Sequence, residues 1–231
     1  MEYGKQTLGL IEQARDRGAD HVAVVMRHSA RTYKPGIRDF DNPLTDQGRE
    51  LAHAFGKALP KEAHVRAYSS PVGRCVDTAE KIIAGHEQHG GVAKGRRDIE
   101  VLGNVHILDF ARFAKVVQEF SLAEVYPKWF AGELAPDLLL PSHTLAQLIA
   151  HVVLEKLDRP VGGPQVDLLV SHDMNLYPMR HHLLDQTIDD CGPVNYLDGL
   201  VFFALDGMVH VQSHHGEPAL LRFSHPGSKE L

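Results

Sequence analysis

An uninterrupted apolar run, Val22-Ala23-Val24-Val25-Met26, constrains this chain more than any other segment. A strand with one wet face alternates apolar and polar side chains. This run offers water no polar side, so it belongs in a parallel sheet covered on both faces, and its β-branched valines suit the pleat. It ends abruptly in Arg27-His28-Ser29-Ala30-Arg31, and a second apolar run, Leu168-Leu169-Val170, ends likewise in Ser171-His172-Asp173. If the two strands are neighbours, their carboxyl ends bring two imidazoles, a carboxylate and at least one guanidinium into the crevice where open α/β sheets place ligands.

The rest of the pattern supplies helices for both faces. Leu8, Leu10, Ile11 and Ala14 mark an opening helix that Gly18 ends. A polar loop carrying Arg31, Lys34, Pro35, Gly36 and Arg38 leads to a helix capped by Thr45, with Leu51, Ala54, Phe55, Ala58 and Leu59 at helical spacing. Val65 to Ser69 reads as a strand, followed by a helix with Ser70 as cap and Pro71 in its first turn. Gly85 to Arg97, rich in Gly, His and charge, reads as an exposed connection, and Ile99 to Leu102 as a strand. Asp109 to Leu134 reads as helix broken at Pro127, Ser142 to Leu157 as a long helix, and Asp173 to Leu184 as another. Leu200 to Leu205 and Met208 to Val211 form a hairpin around Asp206-Gly207. The alternation predicts an α/β fold: a three-layer sandwich whose mostly parallel central sheet carries helices on both faces. A single domain over 1–231, with a helical insert at 103–141, accommodates all of it.

The net charge of −6 argues against a nucleic-acid partner, because a phosphate-backbone binder carries an excess of Lys and Arg. Cys75 and Cys191 are too few and too far apart for a disulfide framework, and read as reduced buried thiols. No stretch has signal-peptide or membrane-spanning character, so we expect a cytoplasmic protein with no membrane partner. The paired histidines, His86 with His89, His181 with His182 and His214 with His215, lack partner ligands at short spacing, and we expect them on solvated surfaces rather than on a metal. No cofactor is expected, and the oligomeric state is not readable from the sequence.

Cleaving a phosphate monoester needs an in-line nucleophile, fixed positive charge around the equatorial oxygens and a proton for the departing alkoxide. Neutral imidazole is a competent nucleophile near pH 7, and like charge on Arg27 disfavours protonation of His28, which makes His28 the candidate. Arg27 and Arg74, each following a strand, would clamp the phosphoryl group, with Arg31 as a third contributor. His172 would donate to a phosphoryl oxygen and Asp173 would hold the leaving-group proton, with Glu100 and Asp109 as rival acids. Alone, each element is equally an ordinary strand end, helix cap or surface cation.

Taken in order, Arg27-His28-Ser29-Ala30-Arg31, Leu44-Thr45-Asp46-Gln47-Gly48, the stretch from Tyr68 to Ala79 around Arg74, and Ser171-His172-Asp173 resemble the histidine phosphatase superfamily. Phosphoglycerate mutases and histidine acid phosphatases belong to that superfamily. The resemblance implies a phosphoglycerate mutase-like fold, a phosphohistidine intermediate on His28 and a pocket of Arg27, Arg74 and His172, working without a metal. Ser29 stands where the family usually has glycine, which keeps the turn and adds a hydroxyl that could contact substrate. Arg31 and the His172-Asp173 pair resemble the acid-phosphatase branch, where the aspartate is the acid. In the mutase branch the acid is a glutamate between the second arginine and second histidine, the interval that holds Glu100. The expected activity is a phosphomonoesterase acting on a phosphorylated small molecule or phosphoprotein. Its rivals are a mutase-like phosphotransferase, a weakly catalytic phosphoprotein-binding module and a histidine-based metallohydrolase. Phe110, Phe113, Tyr126 and Trp129 of the 103–141 stretch are able to wall the pocket, and aromatics that pack the core of an insert would look the same in sequence.

Overall fold

In a computed structural model of the chain, which describes residues 3–34 and 36–222, the two apolar runs pair directly. In chain order the elements are α1 (Lys5–Asp16), β1 (His21–Arg27), α2 (Asp46–Ala58), β2 (His64–Ser69), α3 (Gly73–Gln88), β3 (Val92–Asp98), α4 (Phe110–Glu119), α5 (Leu122–Phe130), α6 (Ser142–Leu157), β4 (Gln165–Ser171), α7 (Asp173–Leu184), a short α8 (Ile188–Cys191), β5 (Gly199–Leu205), β6 (Met208–Gln212) and β7 (Ala219–Leu220). The strands form one mixed sheet in the order β3-β2-β4-β1-β5-β6-β7. β1 runs parallel to β4 with Arg27 opposite Ser171, so His28 and His172 leave the sheet side by side. β2 and β3 extend the parallel part, while β5, β6 and β7 are antiparallel.

The period of two in β1 divides the core. Val22, Val24 and Met26 face a cluster with Leu8, Ile11, Phe55 and Ile82 from α1, α2 and α3. Ala23 and Val25 face the opposite cluster, with Trp129, Leu145, Ile149 and Leu176 from α5, α6 and α7. Burial on both sides is why no polar side chain interrupts the run. At the hairpin, Asp206 and Gly207 both take positive φ, the conformation a tight two-residue turn requires.

Several boundaries depart from the sequence reading. α3 does not stop near Ile83 but continues through Gln88, so Gly85 and His86 are helical rather than parts of an exposed connection. The helices α2 and α3 cross at backbone distance. A Cβ on Gly56 would lie 2.0 Å from the Ile82 carbonyl oxygen, and one on Gly85 2.0 Å from that of His53. His86 is fully buried, its Nε2 3.0 Å from the Ala63 carbonyl oxygen, and is not the surface residue expected. The rest of that connection, Val92–Asp98, is an edge strand, and Glu100–Leu102 is a 3-10 turn rather than a strand. The break in the 103–141 stretch comes at Phe120–Ser121, where Ser121 and Glu124 form a capping box that starts α5; Pro127 sits inside α5. Cys75 is buried, but Cys191 is only partly so. Pro35 of the polar loop lies outside the described residues. No helix among them is long and apolar enough to cross a membrane.

Candidate active site

The turn after β1 is shaped by backbone contacts that fix His28. Thr45 caps α2, its Oγ1 accepting from the Gly48 amide at 2.8 Å, and the Thr45 amide donates to the Ala30 carbonyl at 3.0 Å. Such a cap stabilises the helix by about 1 kcal/mol. Here it also presses α2 onto the turn: a Cβ on Gly48 would lie 2.0 Å from the Ala30 oxygen, so only glycine fits. The Ser29 amide donates to Thr78 Oγ1 at 3.0 Å, and its hydroxyl donates to the Gly48 carbonyl at 2.7 Å. The hydroxyl expected to reach substrate is therefore buried and ties the turn to α2.

His28 is held at both ring nitrogens. Nδ1 lies 2.7 Å from the Ser29 carbonyl oxygen, which fixes the proton there, and Nε2 accepts from Arg74 Nε at 3.0 Å. Burial, then His172 and Arg74, hold the His28 imidazole well below the usual histidine range; Arg27, the cause expected from the sequence, contributes least. Burial followed by Arg74 depresses His172 likewise. The two rings stand edge to face with centroids 5.6 Å apart. Both are neutral near pH 7.

Arg74 joins them. It is only 5% exposed, near the start of α3. Besides His28 it reaches His172 Nδ1 at 3.2 Å through NH2 and the Asp39 carbonyl at 2.7 Å through NH1. The Asp39 carboxylate accepts from Arg74 NH2 at 3.0 Å and from Arg31 NH2 at 2.7 Å. The cap of α3 is Val72 rather than Ser70. Ser70 instead accepts from the Val72 amide at 3.2 Å and places its hydroxyl 3.0 Å from His172 Nε2.

Arg27 donates to the Val194 carbonyl at 2.7 Å through NH1, pairs with Asp173 Oδ2 at 2.9 Å through NH2, and lies 4.4 Å over the Tyr196 ring. Its buried Nε has no hydrogen-bond partner among the described residues. The structure thus brings together His28, His172, Arg27, Arg31, Arg74 and Asp173. Neither rival acid forms an ion pair with these arginines among the described residues. Glu100 is exposed on the 3-10 turn, and Asp109 caps α4 through the Arg112 amide at 3.0 Å. Of the four aromatic residues assigned to the pocket wall, Phe113, Tyr126 and Trp129 are buried in the core and only Phe110 is exposed.

Ser70, Asp39, Val194 and Tyr196 complete the surroundings, and Asp39, Val194 and Tyr196 carry no separate signal in the sequence. Ser70 carried one, but it was read as a cap. Among the described residues no group of three or more His, Cys, Asp or Glu side chains is arranged to hold a metal ion.

Residues 23–125 match the family model of the histidine phosphatase superfamily (branch 1). No curated protein matches the sequence. Among solved structures, a phosphoglycerate mutase from Bacillus anthracis superposes with a TM-score of 0.54 at 22% identity, covering 83% of this chain and 91% of that one. A mycobacterial glucosyl-3-phosphoglycerate phosphatase gives 0.53 at 21% identity, covering 78% and 89%. A phosphoserine phosphatase from Entamoeba histolytica, in complex with phosphoserine, gives 0.52 at 18% identity, covering 88% and 96%. These likenesses establish the fold, and over residues 23–125 the chain is similar to the histidine phosphatase superfamily.

Proposed function

We propose that this protein is a phosphomonoesterase that hydrolyses phosphate monoesters through a covalent phosphohistidine on His28, without a metal or other cofactor. The observation that carries the reading is the pair of bonds on His28. With Nδ1–H committed to the Ser29 carbonyl, the Nε2 lone pair faces the Arg74 guanidinium, the charge that would hold the phosphoryl oxygens.

In the first half-reaction Nε2 of His28 attacks phosphorus and the bond to the leaving oxygen breaks. Asp173, beside Arg27, takes up a proton from solvent as the phosphoryl dianion seats next to it and passes that proton to the leaving oxygen. In the second, Asp173 takes a proton from water, the water oxygen attacks phosphorus, and the P–N bond breaks to return neutral His28 and inorganic phosphate. Arg27, Arg31 and Arg74 offset the equatorial charge.

His172 has its Nε2 beside Ser70 and its Nδ1 facing Arg74. Arginine only donates, so His172 Nδ1 accepts from Arg74 and the ring proton sits on Nε2, donated to the Ser70 hydroxyl, which makes His172 a residue that positions the Arg74 guanidinium on the seat. Glucosyl-3-phosphoglycerate and phosphoserine phosphatases share the fold, which supports small phosphorylated metabolites as the first substrates to try. The helices between 103 and 141 are read as an insert beside the site within one domain.

The test is phosphate release across sugar phosphates, phosphoamino acids, phosphopeptides and nucleotides, with His28→Ala as the blank. Turnover lost in that variant supports the reading; equal turnover by His28→Ala on every accepted substrate overturns it. Phosphoryl transfer to an added sugar-acid acceptor in place of phosphate release would make the protein a mutase. Tight phosphopeptide binding with no turnover would make it a binding module.

A further inference from the structure

We propose that Asp39 is a resident anion on the phosphoryl seat, and that every incoming oxyanion must displace it, which lowers the affinity of the site. The inference rests on the seat proposed above. Its carboxylate bridges the Arg31 and Arg74 guanidiniums at 2.7 and 3.0 Å, and its carbonyl takes the other arm of the Arg74 fork at 2.7 Å. Arg74 has five N–H donors. Two go to His28 and His172, the first of which is released when His28 Nε2 turns to phosphorus, and two go to Asp39. Asp39 is therefore the ligand that an incoming oxyanion must replace on both arginines.

The surroundings of Asp39 make that replacement feasible. Its side chain is 50% exposed, so water solvates the carboxylate once it leaves the arginines. It sits on the 3-10 turn Asp39–Asp41, which the Arg38–Asp41 pair closes at 2.9 Å. Phe40 rests edge-on against the Phe110 ring of α4 at 5.5 Å, both rings being partly exposed. A dianion that takes the seat of one carboxylate gains a full extra charge on two guanidiniums. A monoanion exchanges like for like and gains nothing. The arginines set the preference for a dianion, and Asp39 lowers the affinity of both classes by the same factor.

The experiment is calorimetric titration with inorganic phosphate and with dimethyl phosphate at pH 8, on wild type, Asp39→Asn, Asp39→Glu and Arg74→Met. Asp39→Asn is expected to bind phosphate about tenfold tighter and to gain by about the same factor for dimethyl phosphate, while Asp39→Glu stays near wild type. Equal phosphate affinity in wild type and Asp39→Asn, with Arg74→Met weaker than both, would overturn the resident anion and leave the seat standing. Phosphate binding untouched by Arg74→Met would overturn the seat itself, and the role of Asp39 with it.

Discussion

The strands β1 and β4 lie side by side over seven residue pairs, and their two ends are built on opposite electrostatic terms. At the amino end, Asp167 is completely buried within β4 yet fully answered. Arg66 Nε donates to it at 2.6 Å, His21 Nε2 lies 2.8 Å away, and Gln165 donates from the neighbouring turn of the pleat at 3.0 Å. Arg66 also reaches the carbonyl of Lys156 in the last turn of α6 at 3.0 Å and that of Arg159 just beyond the helix at 2.7 Å. Burial pushes the Asp167 carboxyl up, but the Arg66 fork and His21 outweigh it and hold it below the usual carboxylate range. At the carboxyl end three arginines and two buried neutral histidines meet, among the described residues, the carboxylates of Asp39 and Asp173, both partly exposed. One end is closed on itself; the other is left positive and waits on an anion. A buried charge is structural when its partners lie within the fold, and a candidate for function when they do not.

If this contrast is right, the two ends respond oppositely to mutation. Arg74→Met should lower kcat/KM by about 10³-fold or more, since it removes a donor to the nucleophile and the phosphoryl clamp together, while the thermal midpoint holds or rises. Steady-state kinetics and calorimetry on one preparation check both halves. Asp167→Asn should do the reverse, costing about 3–5 kcal/mol of stability by leaving Arg66 unanswered, with kcat/KM of the folded protein within about twofold. A large kinetic effect there would break the division between the ends.

The pH dependence sharpens it further. His28 and His172 have folded values well below 6.5, so as pH falls below about 6.5 the unfolded chain takes up protons that the folded one refuses, and stability drops. Asp167 has its folded value lowered, so its contribution is present above about pH 4 and is lost as pH falls below that. Denaturation curves should therefore show a histidine-dependent decline before the carboxylate one, and His172→Asn should reduce the first and spare the second. The smallest effect expected is from Ser70→Ala, a loss of about tenfold in kcat/KM through a mispositioned His172, with the His28 label described below still forming.

How much of this was legible follows from the kind of signal each part leaves. Val22 to Met26 and Leu168 to Val170 announced buried parallel strands because burial on both faces forces apolar residues at every position. The order of Arg27, His28, Arg74, His172 and Asp173 along the chain carried most of the site, since each follows a strand end that the sheet brings to one edge. The length of α3 was hidden because Gly85 and His86 look like loop residues. The glycine is there for the close approach of α2, a tertiary cause with no local trace. Asp39 was invisible for a similar reason: nothing in a polar loop says which carboxylate returns to the arginines. Ser70 was visible but misread, because a serine before a helix looks like a cap whether or not its hydroxyl also meets a histidine.

The central claim is that the phosphoryl group passes through His28. Rapid mixing with a phosphorus-labelled substrate, quenched in alkali where a phosphoramidate survives, followed by peptide mapping, tests it directly. The account predicts label on His28 that appears within the first turnover and decays at the rate of phosphate release. Full turnover with no labelled protein, or label on any residue other than His28, would contradict it.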